Sequence, residues 1–426
     1  MMSGKYRFII AAMLFVVGAI SYMDRSSIGI LAPMVTKAFE MTPFQLGVVF
    51  SVFNIGYAIF AFVGGSLADK YGPRRVYSWA AFGWSLFCGL TGAVTGFVQL
   101  MFVRLVFGFT EGPMCSTNNR AITNWFPRKE TSRAVGFIWS GQAFGAVIAA
   151  PVVGLLGIAF GWRLAFIIVG LIGFVWVAAW RVLMTDYPRE NRRVSKEEIE
   201  YIDSNRIVAE VPATGEQASL KALLTSACIL ALTLAMFADN YAQYIFLTWL
   251  PTYMMDALHM NIKEMVFVAA IPWACGFIGY LGGGFVCDYV YNKMNDKLAA
   301  RKLAIVVPLG VSAIALILLI FSTTAAGAVT LLALAVAMLT MASQGCWATF
   351  REVVPEQRLG GVSGYIHMLS QIAGVIGPTI TGIGVQYFHS YNSTFWIVAI
   401  LSIAAILAVW VFVRWPAQQA TAAAAA

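Results

Sequence analysis

Long apolar runs separated by short polar segments dominate this chain. Many of the runs exceed the roughly 20 residues that a helix needs to cross a bilayer, and they lack the strict alternation over about 10 residues expected of barrel strands. Twelve candidate spans lie near 7–33, 44–66, 76–96, 98–120, 132–157, 162–183, 226–255, 264–287, 303–323, 326–350, 360–387 and 394–414. The pattern predicts an all-α membrane protein with twelve transmembrane helices.

The longest polar stretch separates the sixth span from the seventh. It predicts two six-helix bundles joined by a linker. The predicted domains are an N-terminal bundle at 1–183, a linker at 184–221, a C-terminal bundle at 222–415 and a disordered tail at 416–426. Within the linker, Ser195 is followed three residues later by Glu198, a spacing that predicts a capping box and a short surface helix reaching Arg206.

Composition and charge agree with a membrane protein. The chain is 60% hydrophobic and 11% charged, whereas soluble domains average about 25% charged residues. The net charge of +8 comes from Lys and Arg clustered in alternate loops, which is the positive-inside pattern rather than a nucleic-acid footprint. We therefore predict a multi-pass protein of a bacterial inner membrane, in contact with lipid, with both termini and the linker cytoplasmic and no nucleic-acid partner.

Several functional classes lack support in the sequence. The six cysteines lie inside apolar runs without metal-ligand spacing, and no phosphate-binding loop or nucleophile triad is present. We expect no enzyme activity, no cofactor and no metal site. No cluster of hard oxygen ligands points to sodium.

The two halves of the chain echo each other. GGSLADKYGPRR at 64–75 has a degenerate counterpart after the eighth span, where Gly284 and Asp288 match Gly65 and Asp69. Duplicated halves around a midplane site are typical of secondary transporters. The first motif resembles the loop between the second and third spans of the major facilitator superfamily. The resemblance implies a conformational latch formed by Gly65, Asp69, Arg74 and Asp288; the alternative is that these charges only set topology.

Three further segments resemble the anion:cation symporter family of that superfamily. They are SYMDRSSIGILAP, RLVFGFTEGPMCSTNNRAITNWFPRKETSRAVGF and IFLTWLPTYM. The resemblance covers nearly the whole chain. It implies proton-coupled import of an organic carboxylate by alternating access, with hexonates, hexuronates and aldarates as first expectation and a monomer as the working unit. Carriers for aromatic or dicarboxylic acids, and a membrane sensor that binds ligand without transport, are the alternatives.

Four charged residues, Asp24, Arg25, Arg104 and Glu111, lie deep inside the spans of the first half. A charge at bilayer depth costs from about 3 to more than 10 kcal/mol, so each needs a partner and a role. Arg25 is the candidate ligand for the substrate carboxylate, because a guanidinium offers a bidentate fork and stays charged. Its alternative is an ion pair with Asp24 or Glu111. Glu111, two helical turns after Arg104, is the candidate proton carrier and Asp24 the second, unless Arg104 and Glu111 form a fixed pair.

The remaining candidates are uncharged groups able to contact substrate hydroxyls. By pattern and by resemblance they are Tyr22, Tyr57, Gln142, Tyr244, Trp347 and His367. Instead of contacting the substrate, each aromatic side chain could serve only in packing, and an amide such as that of Asn118 could hydrogen-bond to a neighbouring helix. His367 departs from the amide expected there by resemblance, and Asp239 is an unusual acid within a span. Both leave the identity of the substrate open.

Overall fold

The structure, a computed structural model, describes residues 5–204, 223–354 and 359–414. Within these ranges the chain is helical with short connections and contains no strand. Eight of the described helices are long and apolar enough to cross a membrane. The all-α prediction is confirmed, and each of the twelve predicted spans falls on a helical segment. The predicted tail and residues 205–221 of the polar linker lie outside the described residues.

The first half of the chain contains eight α-helices among its described residues. They are α1 Tyr6–Ile30, α2 Ala32–Phe39, α3 Pro43–Tyr71, α4 Pro73–Thr91, α5 Phe97–Glu111, α6 Met114–Trp125, α7 Arg128–Leu183 and α8 Lys196–Ser204. The long α7 is two helices in sequence, because Gly161 interrupts it with a φ of 77°, a left-handed conformation that glycine adopts without a steric penalty. The break separates the predicted fifth and sixth spans.

The described residues of the second half form seven α-helices. They are α9 Ala227–Asp256, α10 Ile262–Val268, α11 Ala270–Lys293, α12 Lys297–Ile320, α13 Ala325–Val353, α14 Leu359–Phe388 and α15 Asn392–Phe412. Proline lies inside α9, α12 and α14, where its missing N–H and its ring interrupt the helical hydrogen-bond ladder. The chain divides into two compact units, Met1–Ala213 and Thr214–Ala426.

Helix pairing follows the same scheme inside each unit. In the first, α1 packs on the first part of α7, α3 on α5, and α4 on the second part of α7. In the second, α9 packs on α14, α11 on α13, and α12 on α15. In span order, the first pairs with the fifth, the second with the fourth and the third with the sixth in both units. The sequence echo between the halves therefore has a counterpart in their packing.

The helix α8 of the linker is anchored to the start of α1. Glu198 is buried, and its carboxylate accepts the backbone N–H groups of Tyr6 at 2.8 Å and Arg7 at 3.1 Å. It thereby caps orphan donors of α1. The Ser195 hydroxyl accepts from the Glu198 N–H as predicted, but the Glu198 side chain does not return to Ser195. The predicted capping box is thus half-formed, because the carboxylate serves a different helix.

Candidate functional site

The four predicted charges of the first unit converge in its interior. Asp24 and Glu111 are fully buried, and Arg25 and Arg104 are 5% and 2% exposed. Asp24 and Arg25 lie on α1, whereas Arg104 and Glu111 lie on α5. We call these four residues the core charge cluster. Their nominal charges balance, with two guanidinium groups and two carboxylates.

Close helix packing brings α5 within reach of the aromatic residues on α3. A Cβ at Gly108 would lie 2.0 Å from the carbonyl oxygen of Phe53, so only a glycine permits this approach. The ring of Phe53 consequently lies under both arginines, with its centroid 5.2 Å from Cζ of Arg25 and 4.9 Å from Cζ of Arg104. A cation over an aromatic face is stabilised by the ring quadrupole, most strongly where water is absent.

Arg25 is held in place from several sides. Its Nε donates to Oε1 of Glu111 at 2.7 Å, and both side chains are buried. Cζ of Arg25 lies 4.4 Å from the ring centroid of Tyr57 and 5.3 Å from that of Tyr22. The pairing is the alternative that the sequence left open for Arg25. The structure therefore brings Tyr22, Tyr57, Arg25 and Glu111 together, and places an ion pair at their centre.

Glu111 is asymmetrically partnered. Its Oε1 accepts from Arg25 and from the Ser21 hydroxyl, while Oε2 is buried with no hydrogen-bond partner among the described residues. Ser21 lies one turn before Arg25 on the same face of α1. That spacing was available in the sequence and would have identified Ser21 as part of the site.

Asp24 and Arg104 carry the less compensated charges. Neither oxygen of Asp24 accepts from an N–H or O–H group of the described residues, although the Cys88 thiol lies beside it. Nε and Nη1 of Arg104 are likewise without acceptors in the described part of the chain. Arg104 acts electrostatically on Glu111 and Asp24 but forms no ion pair with either within 4.0 Å. The predicted alternative of a fixed Arg104–Glu111 pair is corrected: Glu111 pairs with Arg25.

Gln142 lies on α7 against Gly18 of α1. It is partly exposed, and its amide makes no hydrogen bond to a described side chain or backbone group. An amide with unused donors and acceptors suits contact with a polar ligand. Asn118 differs, because its Oδ1 accepts from the Tyr77 hydroxyl at 2.9 Å and thereby joins two helices.

Two candidates of the second unit, Tyr244 and His367, belong to a hydrogen-bonded row of neutral groups. The Tyr244 hydroxyl on α9 donates to Oε1 of Gln371 on α14 at 2.7 Å. The Gln371 amide nitrogen lies 3.2 Å from Nε2 of His367, one turn earlier on the same helix. Trp347, on α13, is half-buried and packs edge-on against Phe350 at 5.9 Å. The structure joins Tyr244 and His367 through Gln371, while Trp347 lies in a separate aromatic contact.

Two of the proposed latch residues, Asp69 and Arg74, lie near helix ends. In the first unit, Oδ1 of the exposed Asp69 is 3.4 Å from Nη1 of Arg120. The Arg74 N–H donates to Oδ1 of Asp186, and its guanidinium donates to the carbonyl of Arg181. These contacts attach the start of α4 to the last turn of α7 and to the segment that follows it.

Two latch positions carry less structural information. Asp288 of the second unit is exposed on α11. Gly65 lies inside α3. The latch therefore stays a prediction.

Comparisons with known proteins decide the family. The family model described as "Major Facilitator Superfamily" matches residues 14–295 and 277–426. The chain belongs to the major facilitator superfamily. It is 37% identical over 415 residues to "Hexuronate transporter" of Bacillus subtilis (strain 168), covering 97% of this chain and 96% of the relative.

Two further matches are a second relative and a solved structure. The chain is 31% identical over 402 residues to "Probable galactarate/D-glucarate transporter GarP" of Escherichia coli (strain K12), covering 91% and 90% of the two chains. A solved bacterial homologue of the human lysosomal transporter Spinster, in an inward-facing and occupied conformation, matches with a TM-score of 0.79, 16% identity and coverage of 98% and 99%. The chain is thus a multi-pass membrane transporter of this superfamily and not an enzyme.

Proposed function

We propose that this chain imports a sugar acid together with protons across a bacterial inner membrane, by alternating access. The observation that carries the proposal is the core charge cluster, in which Arg25 is paired with Glu111 and no charge is in excess. Similarity to relatives named for hexuronate and for galactarate and D-glucarate supports the substrate class. The family's latch residues and the cytoplasmic placement of both termini remain part of this proposal.

Charge balance links substrate to protons. A carboxylate that binds Arg25 adds one negative charge to a buried set whose charges cancel. An uncompensated buried charge costs several kcal/mol even after relaxation. Protonation of one acid of the cluster restores the balance. One proton therefore accompanies each carboxylate. The transporter changes conformation most favourably when the site is empty or when it holds both the substrate and the proton.

Glu111 is the acid that exchanges its proton with substrate. The incoming carboxylate competes for the Arg25 guanidinium and replaces Oε1 of Glu111 as its acceptor. Glu111, released from the ion pair, takes a proton on a carboxylate oxygen and keeps the Ser21 hydroxyl as a neighbour. Arg104 remains as a second positive charge near Asp24 and Glu111. Asp24, buried without an N–H or O–H donor among the described groups, is the second proton carrier.

Neutral groups contact the polyol portion of the substrate. Gln142, Tyr22 and Tyr57 serve this role in the first bundle. Tyr244, His367 and Trp347 serve it in the second. Hydrogen bonds to substrate hydroxyls discriminate strongly, because an analogue that lacks the hydroxyl leaves buried polar groups unpaired.

The test is uptake by the purified protein in proteoliposomes with a pH gradient, acidic outside. The labelled substrate is a hexuronate, with an aldarate, a hexonate, an unhydroxylated dicarboxylate and an aromatic acid as competitors. We expect accumulation above the external concentration and competition by the sugar acids alone. Uptake that ignores the pH gradient would contradict proton coupling. Competition by the dicarboxylate or the aromatic acid alone would contradict the substrate class.

A further inference from the structure

A buried acid of the second unit has no place in the scheme above. Asp239 lies on α9 and is 2% exposed. Its Oδ2 accepts from the Gln243 amide at 2.8 Å, one turn later on the same helix. Its Oδ1 is buried with no hydrogen-bond partner in the described part of the chain. A polar atom in that situation requires a ligand or a proton.

Among the described residues, no positive charge compensates Asp239. The neighbouring groups on α13 are the Ser343 hydroxyl and the Cys346 thiol, of which only the thiol can titrate. Helices α14 and α15 also pack on α9, and no charged group of their described residues acts on Asp239. An ionised carboxylate there would be a buried unpaired charge, whereas the core charge cluster contains two arginines for two acids. Burial without a neighbouring cation therefore favours the protonated, neutral form.

We propose that Asp239 is a further proton-binding site, located in the C-terminal bundle, which takes up and releases one proton in each transport cycle. The proton resides on Oδ1, the oxygen without a partner. Gln243 donates to the other oxygen and so stabilises the carboxylate after the proton leaves. The transport consequence rests on the proposed function, but occupancy of the site does not.

The position of Asp239 connects it with the neutral row of the same bundle. Tyr244 follows Gln243 directly along α9 and hydrogen-bonds Gln371 on α14. A change of charge at Asp239 therefore occurs five residues before Tyr244, which makes the α9–α14 contact of the row. One extra proton per cycle moves one extra positive charge inward with the substrate, which increases the accumulation that a given membrane potential supports.

The first test reads the proton directly and needs no transport. Infrared spectra of the protein in liposomes at neutral pH contain a C=O band for each protonated carboxyl. We expect Asp239→Asn to lose one such band and Asp256→Asn to lose none, since Asp256 is exposed near the end of the same helix. An unchanged band in Asp239→Asn overturns the proposal. Gln243→Met keeps the acid but removes its donor, so the band should persist to a pH higher by about one unit.

The second test counts protons. The proton-to-substrate ratio of net uptake, measured from reversal potentials in proteoliposomes, should be lower by one in Asp239→Asn than in wild type and unchanged in Asp256→Asn. An unchanged ratio in Asp239→Asn overturns the cycling role. Wild-type uptake driven by a sodium gradient and lost in Asp239→Asn would instead identify a sodium site. If wild-type uptake ignores protons altogether, the proposed function fails while the infrared band still decides the site.

Discussion

The interiors of the two bundles differ in the kind of polarity that they contain. The core charge cluster of the first bundle has two arginines and two acids, with one pair at 2.7 Å. Among the described residues, the second bundle buries one acid within its spans, Asp239, beside amides and hydroxyls. Its arginine–glutamate pair, Arg301 with Glu352, lies near the ends of α12 and α13.

This difference implies a division of roles. A balanced set of charges can bind an anion and then restore neutrality by taking up a proton, which amides and hydroxyls cannot do. Amides and hydroxyls can instead distinguish the arrangement of hydroxyls along a substrate. We therefore propose that the first bundle supplies charge recognition and coupling, and that the second supplies selectivity together with the separate proton at Asp239.

The largest effect should follow from replacing the guanidinium of the first bundle. Arg25→Lys keeps the charge but loses the planar fork that pairs with a carboxylate. We expect substrate affinity to fall about 100-fold, the equivalent of about 2.7 kcal/mol. Binding to the purified protein by calorimetry measures it. Arg189→Lys, an exposed position, is the matched control. Unchanged affinity in Arg25→Lys would remove the anion site from the first bundle.

A second variant separates core charges from charges that hold helices together. In Glu198→Gln an NH2 group replaces one carboxylate oxygen, and this group cannot accept a hydrogen bond. One of the two backbone N–H groups, of Tyr6 or of Arg7, therefore loses its acceptor. We expect a loss of about 1–3 kcal/mol of stability, visible as a lower melting temperature, with unchanged proton coupling in the surviving protein. Glu200→Gln, exposed on the same helix, should have no effect. Altered proton coupling in Glu198→Gln would show that the linker takes part in coupling together with the first bundle.

The neutral row of the second bundle should affect selectivity. Tyr244→Phe removes the hydroxyl that donates to Gln371. We expect the KM for a polyhydroxylated acid to rise about 5-fold, the equivalent of about 1 kcal/mol, while the KM for a carboxylate without hydroxyls stays constant. Tyr387→Phe, exposed on α14, is the control. Equal effects on both substrates would contradict a role in reading hydroxyls.

The smallest effect concerns pH and the start of α7. Hydrogen bonds from Arg7 hold the pKa of Glu130 below its ordinary value. The ionised form then contributes stability above the ordinary pKa of about 4.3 and loses that contribution as pH falls through the lowered value.

Thermal unfolding across a pH series checks this expectation. Glu130→Gln should melt a few degrees below wild type at pH 7, and the difference should shrink below pH 4. A difference in melting temperature that does not change with pH would contradict the assignment of this stabilisation to the ionised form of Glu130.

The fold and its candidate residues could be predicted from the sequence to different extents. Apolar length alone identifies the spans, because lipid forces each crossing segment to satisfy its own backbone hydrogen bonds. The intramembrane charges were also visible, since any charge inside such a run is anomalous. Which of these charges pair with each other could not be predicted, because Arg25 and Glu111 are 86 positions apart and meet only after the helices pack.

The same limit applies to the linker and to the second bundle. Glu198 reaches Tyr6 across 192 positions and Tyr244 reaches Gln371 across 127, so local spacing contains no signal for either contact. Spacing did predict the hydrogen bond from the Glu198 N–H to Ser195, which is local. Phe53 and Cys88 could not be singled out, because an aromatic or a thiol in an apolar run is ordinary.

Glu111→Gln provides the most direct test of the coupling role of the first bundle. The amide cannot lose a proton, so the site is fixed in its neutral state. In proteoliposomes we expect uphill uptake driven by a pH gradient to be abolished while substrate exchange continues at a rate close to wild type, with Glu200→Gln normal in both assays. Retained uphill uptake by Glu111→Gln would contradict the assignment of proton coupling to Glu111.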